Sequence, residues 1–353
     1  MMNVVTKQKI EAFITDWENA NDTFAQDFSG VISVSGKDST IYEKVRGCRN
    51  RGEGLPNELT TAFGIASGTK LFTAVAICRL IDQGKLTLES KISDILPHDL
   101  KAIDANTTVF HLLTHSSGIP DYLDFDNEES EDKFFDTYPV NKWTTNEFYL
   151  PLFNERPSVF ALGSKADYSN SNFILLGLLI ETVSKKSYHS YIKQNIIEPL
   201  NMTRTGFYAT NNLPGNTAIG YTWDKQLKEF VGNYFRLPIV GAADGGIYTT
   251  VADMRLFWNG LFQGKLFSKN MLDQFLAPRT RYDDIDGHIG LGVFVNEKDG
   301  ETIYWHDGAD CGVNFRTAYF PSTGNIMTIF TNVGIKILAF SDNLMSLLVS
   351  SSY

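Results

Sequence analysis

The sequence predicts an α+β fold: an antiparallel sheet flanked by helices, with a helical lobe inserted between the two halves of the sheet. Three observations predict it. Runs rich in β-formers lie at both ends of the chain, over 28–45 and 302–331, and apolar runs with helical spacing fill the middle. No internal repeat and no Ser/Gly-rich linker divides the 353 residues. Strands and helices segregated in this way pack as a sheet with helices laid on it, not as alternating βαβ units. The expected organisation is a single domain over 1–353, with an α/β lobe from about 1–66 and 240–353 and a helical lobe over about 67–239.

Taken in order, Lys7–Asn19 carries Ile10, Phe13, Ile14 and Trp17 at helical spacing and reads as an amphipathic helix. Phe28–Val34 and Thr40–Val45 alternate on either side of Gly36-Lys37-Asp38 and read as a hairpin. Ser67–Gln83 is a long apolar helix closed by Gly84, a residue that accepts the left-handed conformation ending many helices. From about Lys85 to Val240 the pattern is mainly helical with long loops. Phe173–Val183 is its clearest buried helix, and Val251–Phe262 follows as another. Thr302–Trp305, Phe315–Phe320 and Ile326–Thr331 read as strands, the last two joined by the turn-rich Pro321–Asn325. A helix over Ile337–Val349 ends the pattern.

Composition narrows the function classes. Subtracting 41 acidic from 31 basic residues leaves −10, which argues against binding the phosphate backbone of a nucleic acid. Forty apolar rings from 25 Phe and 15 Tyr supply a core and exclude disorder. The apolar stretch Phe173–Ile180 falls far short of the about 20 residues a membrane-spanning helix needs, so no transmembrane segment is expected. Met-Met-Asn-Val-Val-Thr-Lys-Gln-Lys has no apolar secretory core. That predicts a cytoplasmic protein if this N-terminus is native, and an extracellular or cell-envelope one if a signal has been removed. Cys48, Cys78 and Cys311 have neither disulfide-framework nor zinc spacing, and Cys78 reads as a buried small hydrophobe.

Three short motifs carry chemistry. In Ser67-Gly68-Thr69-Lys70 a serine stands at a helix start, beside free N–H groups and the positive end of the dipole. Lys70 lies one turn on along the same face, where its amine reaches the Ser67 hydroxyl. Burial in an apolar helix disfavours the charged amine, and a neutral lysine can take the serine proton. In Tyr168-Ser169-Asn170 the phenol can exchange protons with a nearby lysine, and the Asn170 amide can bond both that lysine and a substrate carbonyl. In His306-Asp307-Gly308-Ala309 a glycine at a strand end permits close approach, and the Ala309 N–H can join that of Ser67 as an oxyanion hole. Singly, each motif also reads as a helix cap or a strand end.

Together, and in this order, Ser67-x-x-Lys70, Tyr168-x-Asn170 and His306-x-Gly308 resemble the signature motifs of the penicillin-recognising serine hydrolases. The form is similar to the branch of class C β-lactamases, D-alanyl-D-alanine carboxypeptidases and family VIII esterases. Lys85–Leu88, Ile95–Pro97, His111–Pro120, Ile197–Met202 and Gly245–Thr250 extend the resemblance to about residues 25–335. The resemblance implies a β-lactamase/transpeptidase-like fold and acylation of Ser67, with Lys70 and Tyr168 sharing the base and acid roles. It implies that Asn170 orients Lys70 and the substrate, and that the Ser67 and Ala309 N–H groups hold the oxyanion. His306 would replace the family's lysine as a weaker, pH-dependent cation. Water would release a small-molecule or peptide-like acyl group, and no metal or cofactor is implied.

The sequence departs from the family beside Gly308. Asp307 and Ala309 stand where carboxypeptidase members usually carry hydroxyl residues that hold a substrate carboxylate. An aspartate repels a carboxylate, and alanine has no side-chain donor. Arg316 is a candidate compensating charge. The expected activity therefore leans to an esterase or another amide hydrolase, with carboxypeptidase or β-lactamase as the alternative. A non-catalytic binding or regulatory protein on the same fold is the alternative of another class. The oligomeric state is left open.

Other constellations are weaker. His111 and His115 stand i, i+4, but no Glu follows His111 as a metalloprotease helix requires. Eight acids and one lysine lie between Asp121 and Asp136, yet Glu129 occupies the position where a calcium loop needs Gly. That run reads as a solvated loop near the cleft. Gly-x-Ser-x-Gly does not occur.

Overall fold

The computed structural model describes residues 7–19, 27–37, 39–124, 133–134 and 137–350. Eight strands form one antiparallel sheet: β1 (Gly30–Ser35), β2 (Thr40–Arg46), β3 (Thr280–Tyr282), β4 (Gly287–Ile289), β5 (Phe294–Lys298), β6 (Glu301–Asp310), β7 (Val313–Phe320) and β8 (Asn325–Thr331). Their spatial order is β2-β1-β8-β7-β6-β5-β4-β3. The N-terminal hairpin thus adds to the last strand, with Gly30 opposite Thr331 and Ser35 opposite Ile326. This pairing unites the strand-like ends of the chain in one sheet.

Among the described residues the helices of eight or more residues are α1 (Lys7–Asn19), α2 (Thr69–Asp82), α3 (Asn170–Ser184), α4 (Val251–Phe262), α5 (Lys269–Leu276) and α6 (Leu338–Ser350), and Val109–Leu113 and Tyr188–Ile192 form shorter ones. Strand side chains alternate between the two faces of a sheet, and the core divides accordingly. Met327 and Ile329 of β8 pack with Ile10 and Ile14 of α1 and Phe340 and Leu344 of α6. Ile326 and Phe330 pack on the opposite face with α2, α3 and α4. Trp17 and Phe340 meet edge to face at 5.3 Å and tie the two terminal helices together.

Helices α2 and α3 lie inside the molecule. Every residue from Thr69 to Cys78 and from Asn170 to Ile180 is buried. A helix apolar on all sides is a core helix, so the polar residues at the starts of both, Lys70 and Asn170, are carried into the interior.

Several sequence expectations shift. Strand β6 runs on through His306-Asp307-Gly308 to Asp310, past the expected end at Trp305. Its polar residues there hide the strand pattern. Strands β3 to β5 and helix α5 escape the sequence reading because they are short, and a 3₁₀ turn at Asp283–Ile285 separates β3 from β4. The middle of the chain also contains a hairpin, Tyr221–Asp224 with Glu229–Gly232, and more turn than helix. Asp38 of the first hairpin turn, and residues 125–132 and 135–136 of the acidic run, lie outside the described residues. Among the described residues no helix is long and apolar enough to cross a membrane.

Candidate active site

Ser67 sits in a short 3₁₀ turn, Ala66–Gly68, and α2 begins only at Thr69, so the serine lies just ahead of the helix rather than in its first turn. Ala66 has φ +45°, a left-handed conformation that an alanine adopts at a cost. The surroundings fix it: the Ala66 carbonyl accepts from the Thr69 hydroxyl at 2.8 Å and from Gly246 N–H at 3.3 Å, and the Thr69 hydroxyl accepts from Ile247 N–H at 3.0 Å. Gly68 has no room for a side chain, because a Cβ there would meet the Phe315 ring at 2.5 Å. Strand β6 closes on the same turn through Gly308. Ala309 follows at the cleft rim, lining the same cavities as Ser67.

Lys70 is fully buried, and all three of its donors are used: Ser67 Oγ at 3.0 Å, Asn170 Oδ1 at 2.6 Å and the Asp244 carbonyl at 2.7 Å. Burial lowers its pKa to about 8, against the pull of the Asp244, Asp121, Asp307 and Asp310 carboxylates. The amine also lies 4.9 Å from the centre of the Tyr168 ring.

Burial pushes the Tyr168 phenol well above its ordinary value, and its hydrogen bond with the Ser67 side chain works the other way. The Tyr168 ring is stacked on His115 at 4.6 Å. His115 is itself left-handed at φ +53° and accepts the Ser169 N–H on Nδ1 at 3.1 Å. Burial, then Lys70 and His306, hold its pKa well below the usual histidine value. It therefore serves as a neutral platform under Tyr168. His111 is turned away, with Nδ1 accepting the Thr108 N–H at 3.1 Å as part of a helix cap. Among the described residues no group of three or more His, Cys, Asp and Glu could hold a metal ion.

His306 departs from expectation. It is buried and stacked on Phe294 at 4.8 Å, and its Nδ1–H donates to the Asp307 carbonyl at 2.7 Å. Burial, with Lys70 adding to it, lowers its pKa to about 3. The expected pH-dependent cation is thus a neutral imidazole near pH 7, with its Nε2 lone pair left as an acceptor.

Asp307 faces Arg316 across the β6–β7 register. Burial raises the Asp307 pKa, and Arg316 opposes that rise. The Arg316 guanidinium stacks over Trp305 at 4.0 Å and donates to Asp342 Oδ1 at 2.9 Å and Ser341 Oγ at 3.0 Å. Its charge is committed to α6 and to Asp307. These residues border a cleft of about 1080 Å³ that reaches Ser67 and Tyr168. Its lining has six carboxylates (Asp283, Asp284, Asp286, Glu297, Asp307, Asp342) against three cations (Lys298, Arg316, Lys336). A smaller pocket of about 160 Å³ opens on the other side of Ser67, walled by Tyr122, Val140, Trp143, Tyr149 and Tyr248.

The structure therefore brings Ser67, Lys70, Tyr168 and Asn170 into one hydrogen-bonded cluster, sets Asp307, Gly308 and Ala309 on the cleft beside it, and buries His306 off that cleft, within electrostatic reach of Lys70. The sequence reading missed Asp121 and Asp244. The expected solvated loop fails at its first two residues: Asp121 is half-buried with its carboxylate on Asn170, and Tyr122 is buried and donates to Asp244 Oδ2 at 2.5 Å. Burial raises the Asp244 carboxyl, with Lys70 opposing. The position of Asp121 immediately after the His111–Pro120 stretch was the available signal.

A model of the Beta-lactamase family matches residues 11–339. The penicillin binding protein from Bacillus halodurans superposes with a TM-score of 0.85 at 32% identity, covering 96% of this chain and 98% of that one. PbpX of Bacillus subtilis (strain 168), named as a candidate penicillin-binding protein, is 27% identical over 87% of this chain and 71% of its own length. Protein flp of Staphylococcus aureus (strain N315) is 36% identical over 46% of this chain, which spans only 31% of that relative.

Proposed function

The chain belongs to the Beta-lactamase family, and we propose that this serine hydrolase cleaves ester or amide carbonyls whose leaving group bears no free carboxylate, esters foremost. Neutral Lys70 takes the Ser67 hydroxyl proton as Oγ bonds to the substrate carbonyl carbon. The Ser67 and Ala309 N–H groups receive the developing oxyanion, and each such donor is commonly worth about 10²–10³ in rate. The proton passes through Lys70 and Tyr168 to the leaving oxygen or nitrogen as its bond to carbon breaks. A water then adds to the acyl carbon, giving its proton back to the same pair and releasing Ser67 and an acid.

One observation carries the mechanism: an amine with its pKa lowered to about 8 stands 3.0 Å from a serine oxygen in a built turn. The substrate preference rests on Asp307 and on Arg316, whose charge already answers to Asp342. A carboxylate entering the acid-rich cleft meets net repulsion there.

The test is steady-state turnover of a p-nitrophenyl ester, nitrocefin and a D-Ala-D-Ala peptide by the protein and by Ser67→Ala. The expected result is ester turnover that vanishes in the variant. Efficient turnover of only the last two substrates would refute the preference, and equal rates for both proteins would refute the mechanism.

A further inference from the structure

We propose that Asp121 is a positioning residue for the hydrolase, holding the Asn170 side chain in the one orientation that presents its carbonyl to Lys70. The inference rests on the serine-hydrolase reading for its kinetic arms and on geometry alone for the rest.

A primary amide has two ends, and it can turn either toward a neighbour. At Asn170 both neighbours agree. Oδ1 accepts from Lys70 Nζ at 2.6 Å, and Nδ2 donates to Asp121 Oδ2 at 2.8 Å. Flipping the amide would set an NH₂ against the lysine donor and a carbonyl against a carboxylate, losing both bonds and adding a repulsion. An aspartate has acceptors only, so it fixes the end that faces it.

The other carboxylate oxygen, Oδ1, accepts from Leu123 N–H at 3.0 Å, so the carboxylate itself is held in place beside Asn170, the first residue of α3. Ser169, at the N-cap position, gives the helix no side-chain cap. Asp121 therefore anchors the side chain of the first residue of α3 from 49 residues away. The Asp121 backbone is held in turn, its carbonyl accepting from Arg156 Nη1 at 2.8 Å.

Charge couples the same residue to Lys70. Among the groups facing the amine, Asp244, Asp121, Asp307 and Asp310 favour its charged form, and burial opposes them. Tyr168 lies beside it, and His115 and His306 are held neutral. Removing the Asp121 charge therefore favours neutral Lys70.

The experiment compares Asp121→Asn, Asp121→Glu, Asp121→Ala, Asn170→Ala and Asp121→Ala/Asn170→Ala by pH profiles of ester kcat/KM. In parallel, carbon-13 NMR titrates the Lys70 side chain in the wild type and in Asp121→Asn, its signal assigned by its loss in Lys70→Ala. Asp121→Asn is expected to move the acid limb and the Lys70 titration to lower pH by about one unit, and Asp121→Glu to restore most of that shift. Asp121→Ala is expected to lower kcat by about 10–100-fold with little change in KM, and to add less than about twofold once Asn170 is alanine. An unmoved Lys70 titration in Asp121→Asn, or losses that multiply in the double variant, would overturn the proposal. If no ester is turned over by the wild type while the titration still shifts, the hydrolase reading fails and the electrostatic link stands.

Discussion

Gly308 stands against Ser67 with no space between them: a Cβ at 308 would lie 2.8 Å from the Ser67 nitrogen and 2.1 Å from the Ile65 carbonyl oxygen. Both obstacles are backbone atoms, which cannot swing aside as a flexible side chain can. The contact between β6 and the 3₁₀ turn sets the separation of the Ser67 and Ala309 N–H groups, the proposed oxyanion donors. Gly308→Ala is expected to part them, lowering ester kcat/KM by at least about 10²-fold, since a misplacement near 1 Å has that effect. Thermal unfolding should register a loss of about 1–3 kcal/mol from overpacking. Turnover within a few-fold of the wild type would show that strand and turn separate without consequence.

Lys70 predicts the pH dependence of the reaction. Its pKa is lowered to about 8, so the amine is mostly charged at pH 7 and becomes a base as pH rises. Ester kcat/KM should therefore climb about tenfold per pH unit below that value and level off above it. Lys70→Arg keeps a cation and removes the base, because arginine does not lose its proton in this range. Its expected activity is at or below about 10⁻³ of the wild type at pH 9, read from the same ester assay. A flat profile between pH 6 and 9 would contradict a lysine base.

The two buried histidines predict how stability, as distinct from activity, varies with pH. His306 has its pKa lowered from 6.5 to about 3, and His115 is lowered as well. Between these values the unfolded chain binds a proton that the folded one does not, so stability is full above pH 6.5 and falls as pH drops toward 3. The slope is about 1.4 kcal/mol per pH unit for each such proton. Urea unfolding from pH 7 to 4.5 should show this fall, and His306→Asn should show a shallower one. A variant with the wild-type slope would place the titration elsewhere.

What the sequence disclosed divides along physical lines. Ser67 and Lys70 are three residues apart in one local turn, so helical geometry alone brings them to 3.0 Å. Strands β7 and β8 and helix α4 were legible because each has one uniform pattern of burial over seven or more residues. The site around them was harder to read. His306 looked like a titrating cation because nothing local indicates that Phe294, from the neighbouring strand, covers it. Asp121 looked like the first residue of an acidic loop because its partner, Asn170, is 49 residues away. Arg316 could be named as a charge but not assigned a partner until the register put it opposite Asp307 and α6 brought Asp342 to it. Function here depends on which long-range neighbour removes water from each polar group, and spacing along one chain does not encode that directly.

That ionic arrangement also predicts how the substrate preference can be changed. Arg316 is buried, and its guanidinium already answers to Asp342 and Asp307. Removing the carboxylate at 307 takes away both a repulsion and a competitor for the arginine. Asp307→Ser also supplies a hydroxyl that can donate to a substrate oxygen. The informative pair of substrates is phenyl acetate and 4-acetoxybenzoate, identical in acyl group and differing by a carboxylate on the leaving phenol. The ratio of their kcat/KM values should move toward the carboxylate by about tenfold in Asp307→Ser, the effect of one charge-assisted hydrogen bond. Most of the shift should be lost in Asp307→Ser/Arg316→Gln, where no guanidinium remains to be released, and what is left measures the lost repulsion and the new hydroxyl. A gain undiminished by the loss of Arg316 would mean that the arginine takes no part, and an unchanged ratio in Asp307→Ser would mean that leaving groups do not enter the cleft beside 307.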